Sequence, residues 1–234
     1  MDTREIAGGF LVPANDVHHG AWCVETQRLD HDQFLIPYCA ALIKPGDVVI
    51  DAGAMIGDHT IAYNRAAGPD GLVIAVEPCP ASYAILEHNI TLFPNPRCVH
   101  AMNMALGVER GGGSSIQCPG SLGMSTVKAG GDLQIETLDH LARNLPRRPI
   151  NFIKLDIEGW EYAALLGARD ILLSDAPTLV IEINVEALAR NGASYEAIAA
   201  LLTTMGYSHS KIQPEPCSAQ WDIIATPTAR SYRL

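Results

Sequence analysis

Positive charge is scarce in this chain. It has 16 Lys and Arg against 26 Asp and Glu, a formal net charge of −10, and Arg147–Arg148 is its one adjacent basic pair. Nucleic acid and anionic membrane both need a basic footprint, so this balance argues against either as a partner. Long apolar runs are missing as well, and no stretch reaches the roughly 18 residues that a membrane span needs. The opening MDTREIAGGFLVPAND has no basic segment ahead of an apolar one, so no export signal is expected and the cytoplasm is the expected location. The six cysteines (Cys23, Cys39, Cys79, Cys98, Cys118, Cys217) show no C-x-x-C spacing. Reduced, mostly buried thiols are expected, with neither a disulfide framework nor a zinc site. Aromatic residues make up only 6%, yet 48% of the chain is hydrophobic and 18% charged, a globular balance rather than a disordered one.

Apolar runs alternate with helical periods along almost the whole length. A helix beginning near Asp32, with Phe34, Leu35, Tyr38, Ala41 and Leu42 on one face, precedes the first strand, Val48 to Ile50. Helix 58–66, strand 72–76, helix 80–92 and strand 99–106 follow, with Pro80 in a first helical turn. From Gly107 to Gly131 the pattern dissolves into glycine and serine, which predicts a long irregular insert acting as a lid. Beyond it come a short helix over 136–144, strand 152–155, helix 160–173, strand 179–183 and helix 195–205. The last two strands, near 207–212 and 221–225, are too close for a helical crossover and are expected to form an antiparallel hairpin. The expected fold is α/β, a Rossmann-like seven-stranded sheet, mostly parallel, with helices on both faces. Residues 1–31 form a cover or acceptor segment ahead of one domain over 32–234.

In such a sheet, ligands lie beyond the carboxyl ends of the strands, where the winding reverses. Four strands end there in acids: Asp51, Glu77, Asp156 and Glu182. A single strand-end acid is equally well a cap for the next helix; four together, two beside glycine turns, point to a pocket. The turn after the first strand reads DAGAMIG rather than G-x-G-x-x-G, so a dinucleotide is the poorer match and an adenosyl ligand without phosphates, S-adenosylmethionine, the better one. Asp51, Gly53 and Gly57 shape that turn. Glu77 is suited to two ribose hydroxyls, and Pro78 stiffens the chain after it. Thr60 and the amides near Asp58 and His59 face the place expected for the methionine carboxylate. The segment IKLDIEGWE places Lys154, Asp156, Glu158 and Glu161 at the end of a strand, with Gly159 turning into the next helix; Asp156, at the reversal edge, is expected to hold the methionine amine of the donor or the acceptor hydroxyl.

The combination of DAGAMIG, VEP, AMNMALG, TLD, K-x-D-x-E-G-x-E and E-I-N resembles the FkbM family of S-adenosylmethionine-dependent methyltransferases. The resemblance covers about three-quarters of the chain and leaves the first 31 residues unmatched. It implies methyl transfer to oxygen, commonly on sugars, glycans or polyketide-type metabolites, some of them mannose-type sugars of bacterial polysaccharides. It also places Ala105 among the donor-binding residues.

Methyl transfer needs acceptor oxygen, methyl and sulfur held in line, and a base for the hydroxyl proton. Asp156 and His59 are the leading bases, with Lys154 and Glu158 in the catalytic set and His140 behind them. Magnesium held by Asp156, Glu182 and Asn184 is an alternative way to activate the hydroxyl. Competing readings are transfer to nitrogen or to a macromolecule, a silent adenosyl-binding module, and a nicotinamide oxidoreductase. The expected partner is a small-molecule or oligosaccharide acceptor, and a homodimer stays open.

Overall fold

β-Branched runs bounded by glycine and proline set the strands. In a computed structural model, which describes residues 2–118, 121–146, 149–212 and 219–228, they fall into two units. The first comprises Met1–Ala105 and Gly111–Ile135, the second Leu106–Arg110 and Glu136–Leu234.

The first unit opens with β1 (Thr3–Glu5) and β2 (Leu11–Pro13), an antiparallel pair, followed by α1 (His19–Thr26) and α2 (Leu35–Leu42). The Asp32 carboxylate accepts from the Phe34 and Leu35 amides and so starts α2. The buried face of α2 is Leu35, Ile36 and Cys39, while Phe34 and Ala41 are exposed, which corrects the predicted apolar face. Then come β3 (Val48–Ala52), α3 (Asp58–Ala67), β4 (Leu72–Val76), α4 (Pro80–Ile90) and β5 (Val99–Met102). β3, β4 and β5 run parallel, and every residue of β3 and β4 is buried, as strands covered on both faces must be. The predicted strand 99–106 is interrupted after Met102 and resumes as β6 (Ala105–Leu106).

The expected irregular insert is instead ordered sheet. β7 (Gly111–Cys118) pairs antiparallel with β8 (Ser121–Ala129) and with β9 (Leu133–Glu136), carrying a bulge between Ile116 and Cys118. Gly112 and Gly113 serve close approach: a Cβ on Gly112 would lie 2.5 Å from the Gly131 carbonyl oxygen. Gly120, counted in the predicted insert, lies outside the described residues.

The second unit holds α5 (Leu138–Arg143), β10 (Ile150–Leu155), α6 (Glu161–Leu166), α7 (Arg169–Ser174), β11 (Thr178–Asn184), α8 (Val185–Arg190), α9 (Tyr195–Thr204), β12 (Tyr207–Lys211) and β13 (Gln220–Pro227). Thr137, not Glu136, begins α5, its hydroxyl accepting from the His140 amide. The predicted helix 160–173 is two helices. Gly167 ends α6, and the Asp139 carboxylate accepts from the Asp170 and Ile171 amides, capping α7 from a distance in sequence. β10 and β11 are parallel, whereas β13 runs antiparallel to both β11 and β12. The main sheet thus has seven strands, mostly parallel, with the antiparallel C-terminal pair that the short 207–225 spacing predicts. No helix among the described residues is long and apolar enough to cross a membrane. Cys23, Cys39 and Cys79 are buried thiols and Cys98 is a half-buried one; the cysteine expectation for Cys217 and for the Cys118 side chain, like the Arg147–Arg148 pair, lies outside what is described.

Candidate donor site

In the first unit, the turn after β3 is built by backbone. Gly53 (φ 84°) and Gly57 (φ 97°) occupy the left-handed region, where glycine carries no steric cost, and Met55 joins them at φ 48°. The Gly53 and Ala54 amides both donate to the Val76 carbonyl, at 2.9 and 3.1 Å, tying the turn to the end of β4. Gly57 sits where α3 begins, and a Cβ there would meet Phe93 at 2.9 Å and Leu86 at 3.0 Å. Its need for glycine is therefore conformation and packing.

Asp51 is fully buried, and the Thr60 hydroxyl, itself fully buried, donates to its Oδ2 at 2.6 Å. That hydroxyl, expected to face a ligand, is thus spent on orienting Asp51. Glu77 follows β4 and is held at both oxygens: Oε2 accepts from the Met55 amide at 2.8 Å and Oε1 from the Cys79 amide at 2.7 Å. Pro78 is half-buried, and the Asn103 amide group donates to the Glu77 and Pro78 carbonyls. Ala105 is buried in β6. His59 is buried with its Nδ1 2.9 Å from the Tyr63 hydroxyl, a phenol that burial pushes well above its ordinary range. A ring so enclosed is poorly placed to reach an acceptor hydroxyl, and His59 is better read as packing for α3.

The second unit gathers Lys154, Asp156, Glu158, Glu161 and Glu182. Lys154, nearly fully buried, places Nζ 2.8 Å from Asp156 Oδ2. Glu158 (φ 57°) and Gly159 (φ 98°) turn the chain sharply, and a Cβ on Gly159 would strike the Ala187 carbonyl oxygen at 2.3 Å. Glu161 locks this turn, its Oε1 accepting from the Ile157 and Gly159 amides at 2.8 and 3.2 Å. It does more than complement a helix dipole. Burial, then repulsion from Asp156 and Glu161, pushes Glu158 up to about 8. Burial likewise pushes Glu161 up to about 7 and raises Glu182 well above the carboxylate range, with Asp156 and Glu158 adding to the latter.

Carboxylate oxygens of Asp156, Glu158 and Glu182 lie within 4.8 Å of one another, hard donors of the kind magnesium takes. The fit is poor, however. Lys154 already holds a cation on Asp156, and Asn184, expected as a ligand, is the N-cap of α8, accepting from the Ala187 amide at 3.1 Å. His140, the reserve base, lies 2.9 Å from buried Glu136 and is held there.

Three residues that matter escaped the sequence reading. Met55 and Asn103 act through backbone-directed bonds that leave no pattern in sequence. Asn89, fully buried in α4, donates to the Leu11 and Ile56 carbonyls and accepts from the Leu11 amide, joining the N-terminal pair to the donor turn.

Residues 51–208 match the Methyltransferase FkbM domain. The chain belongs to the FkbM methyltransferase family. Its fold is shared with an FkbM methyltransferase of Methylobacillus flagellatus KT, at 15% identity and a TM-score of 0.53, over 92% of this chain and 55% of that one. The chain therefore spans little more than half the length of that relative. A precorrin-6y C5,15-methyltransferase of Geobacter metallireducens GS-15 is similar at 14% identity and a TM-score of 0.53, over 85% of this chain and 96% of that one. So is an S-adenosylmethionine-dependent O-methyltransferase of Thermotoga maritima, at 13% identity and a TM-score of 0.52, over 98% and 78%. No curated protein matches the sequence. Family membership implies S-adenosylmethionine, and the first unit suits it: a carboxylate fixed by two amides stands beside a turn of positive-φ glycines.

Proposed function

We propose that this FkbM family member transfers a methyl group from S-adenosylmethionine to a hydroxyl of a small molecule, a sugar or oligosaccharide first among them. The observation that carries the donor half is Glu77, whose carboxylate is oriented by the Met55 and Cys79 amides, a group of the kind that can accept from two vicinal ribose hydroxyls. Asp51, set by Thr60, shapes the floor of the turn. When bound, the cofactor supplies a methyl carbon on a sulfonium, already activated for displacement. The chain's own contribution is to orient donor and acceptor and to take the hydroxyl proton. We assign that proton to Asp156, whose carboxylate Lys154 orients at 2.8 Å, while desolvation and neighbouring carboxylates favour the protonated forms of Glu158 and Glu182. The preference for a sugar rests on the family's habit, and the net charge of −10 favours neutral acceptors over nucleic acid.

The test is a panel of monosaccharides, oligosaccharides, hydroxylated metabolites and amines incubated with methyl-labelled donor. Label is expected on a hydroxyl oxygen, and Asp156→Asn is expected to lose most turnover at saturating acceptor while still binding S-adenosylhomocysteine. Label on amines alone would overturn the reading.

A further inference from the structure

The family match begins at Asp51, so the β1–β2 pair and α1 lie outside it. Yet both are fastened to the donor turn. Leu11 and Ile56 share the side chain of Asn89, and Gly20 in α1 comes so close to β2 that a Cβ would stand 2.4 Å from the Pro13 carbonyl oxygen. Asp16, itself buried, accepts from the His18 and Gly20 amides and fixes the turn between them. That turn carries His19.

His19 is 9% exposed. Its Nδ1 rests 3.1 Å from the Met55 sulfur, on the residue whose amide grips Glu77. The His31 ring lies against it, centroids 4.9 Å apart, and Trp22 meets His31 edge-on. Its other nitrogen, Nε2, has no hydrogen-bond partner although it is buried, and it points toward Asp58 Oδ2 at 3.7 Å. Asp58 is the first residue of α3, also 9% exposed, at an end whose amides and dipole favour an anion. His19 Nε2 is thus a buried ring nitrogen with an unmet hydrogen bond, beside a carboxylate too distant to supply it. Together they complement a zwitterion: the imidazole and the helix end suit a carboxylate, and Asp58 suits an ammonium. An α-amino acid end group carries both.

We propose that His19 and Asp58 form the subsite for the aminocarboxylate of the donor, at the opposite end of the Met55 turn from the ribose acid Glu77. This rests on the donor reading above. It assigns to the N-terminal segment a share in holding the donor, in place of the cover or acceptor role expected from sequence.

The test compares S-adenosylhomocysteine with 5′-methylthioadenosine, which keeps the adenosine and thioether but lacks the amino acid. Titration calorimetry is run on the full chain with each compound. The wild type is expected to bind both, S-adenosylhomocysteine the more tightly. His19→Ala and Asp58→Asn are each expected to weaken S-adenosylhomocysteine about tenfold or more, the usual scale for a lost charge-assisted hydrogen bond, and to leave 5′-methylthioadenosine unchanged. His19→Gln, which restores an N–H donor, should recover part of the loss. Unchanged 5′-methylthioadenosine affinity also certifies that the variants are folded. Equal loss for both compounds would mean that His19 merely props Met55, and no loss for either would mean that it does not meet the donor. Either result overturns the subsite and leaves the donor reading standing. A wild type that binds neither compound removes the donor reading itself.

Discussion

At the scale of single residues, the acids of this protein divide by what holds them. Glu77 and Asp51 are fixed by protein donors, Glu77 at both oxygens. Glu161 and Glu182 are buried and Glu158 is half-buried among other carboxylates, so their protonated forms are favoured. This has a consequence for stability. Glu158 has an ordinary value of 4.5 and about 8 in the folded chain, so its share of stability is complete below about 4.5 and is lost as the pH rises through 8. Glu158→Gln abolishes that loss. The variant should match the wild type near pH 4 and exceed it at pH 9 by on the order of 2 kcal/mol in urea unfolding. Identical curves at pH 9 would show that Glu158 carries no such penalty. Spacing in sequence made Asp51, Glu77 and Asp156 visible as strand-end acids. It could not show that Thr60 turns its hydroxyl inward to Asp51, or that His59 is enclosed against Tyr63, because both depend on which face of α3 meets the sheet.

At the scale of elements, the legible parts were those written in hydrophobic period. β3, β4, β10 and β11 are near-continuous apolar runs, and the short spacing between β12 and β13 forced an antiparallel pair. In the Gly107 to Gly131 stretch the glycine-rich composition predicts flexibility, yet the chain there forms paired strands. In β7 glycine is needed for close contact: Gly113 packs against Ile135 of β9 and the Lys128 carbonyl of β8. The helix break at Gly167 was equally hidden, since the Asp139 cap that starts α7 comes from 31 and 32 residues away. The paired amides of β7 should therefore exchange slowly with deuterium in the protein without ligand, and addition of S-adenosylhomocysteine should change them little. Exchange at the rate of an open loop, with strong protection only after ligand is added, would restore the lid.

At the scale of the whole molecule, a sequence poor in basic charge, an α/β sheet and a match to the Methyltransferase FkbM domain over residues 51–208 converge on one donor. The architecture was readable because each strand ends where the next turn begins. The acceptor was not, because no residue pattern encodes a preference among sugars, and the segment before Asp51 lies outside the family match. The central claim is that the Met55–Glu77 turn holds S-adenosylmethionine, and calorimetry with S-adenosylhomocysteine on the wild type and on Glu77→Gln tests it most directly. The account predicts saturable binding in the micromolar range for the wild type, and a loss of about 1.5–3 kcal/mol, roughly tenfold to a hundredfold, for the variant. Absence of saturable binding by the wild type, or the same affinity in both proteins, would contradict it.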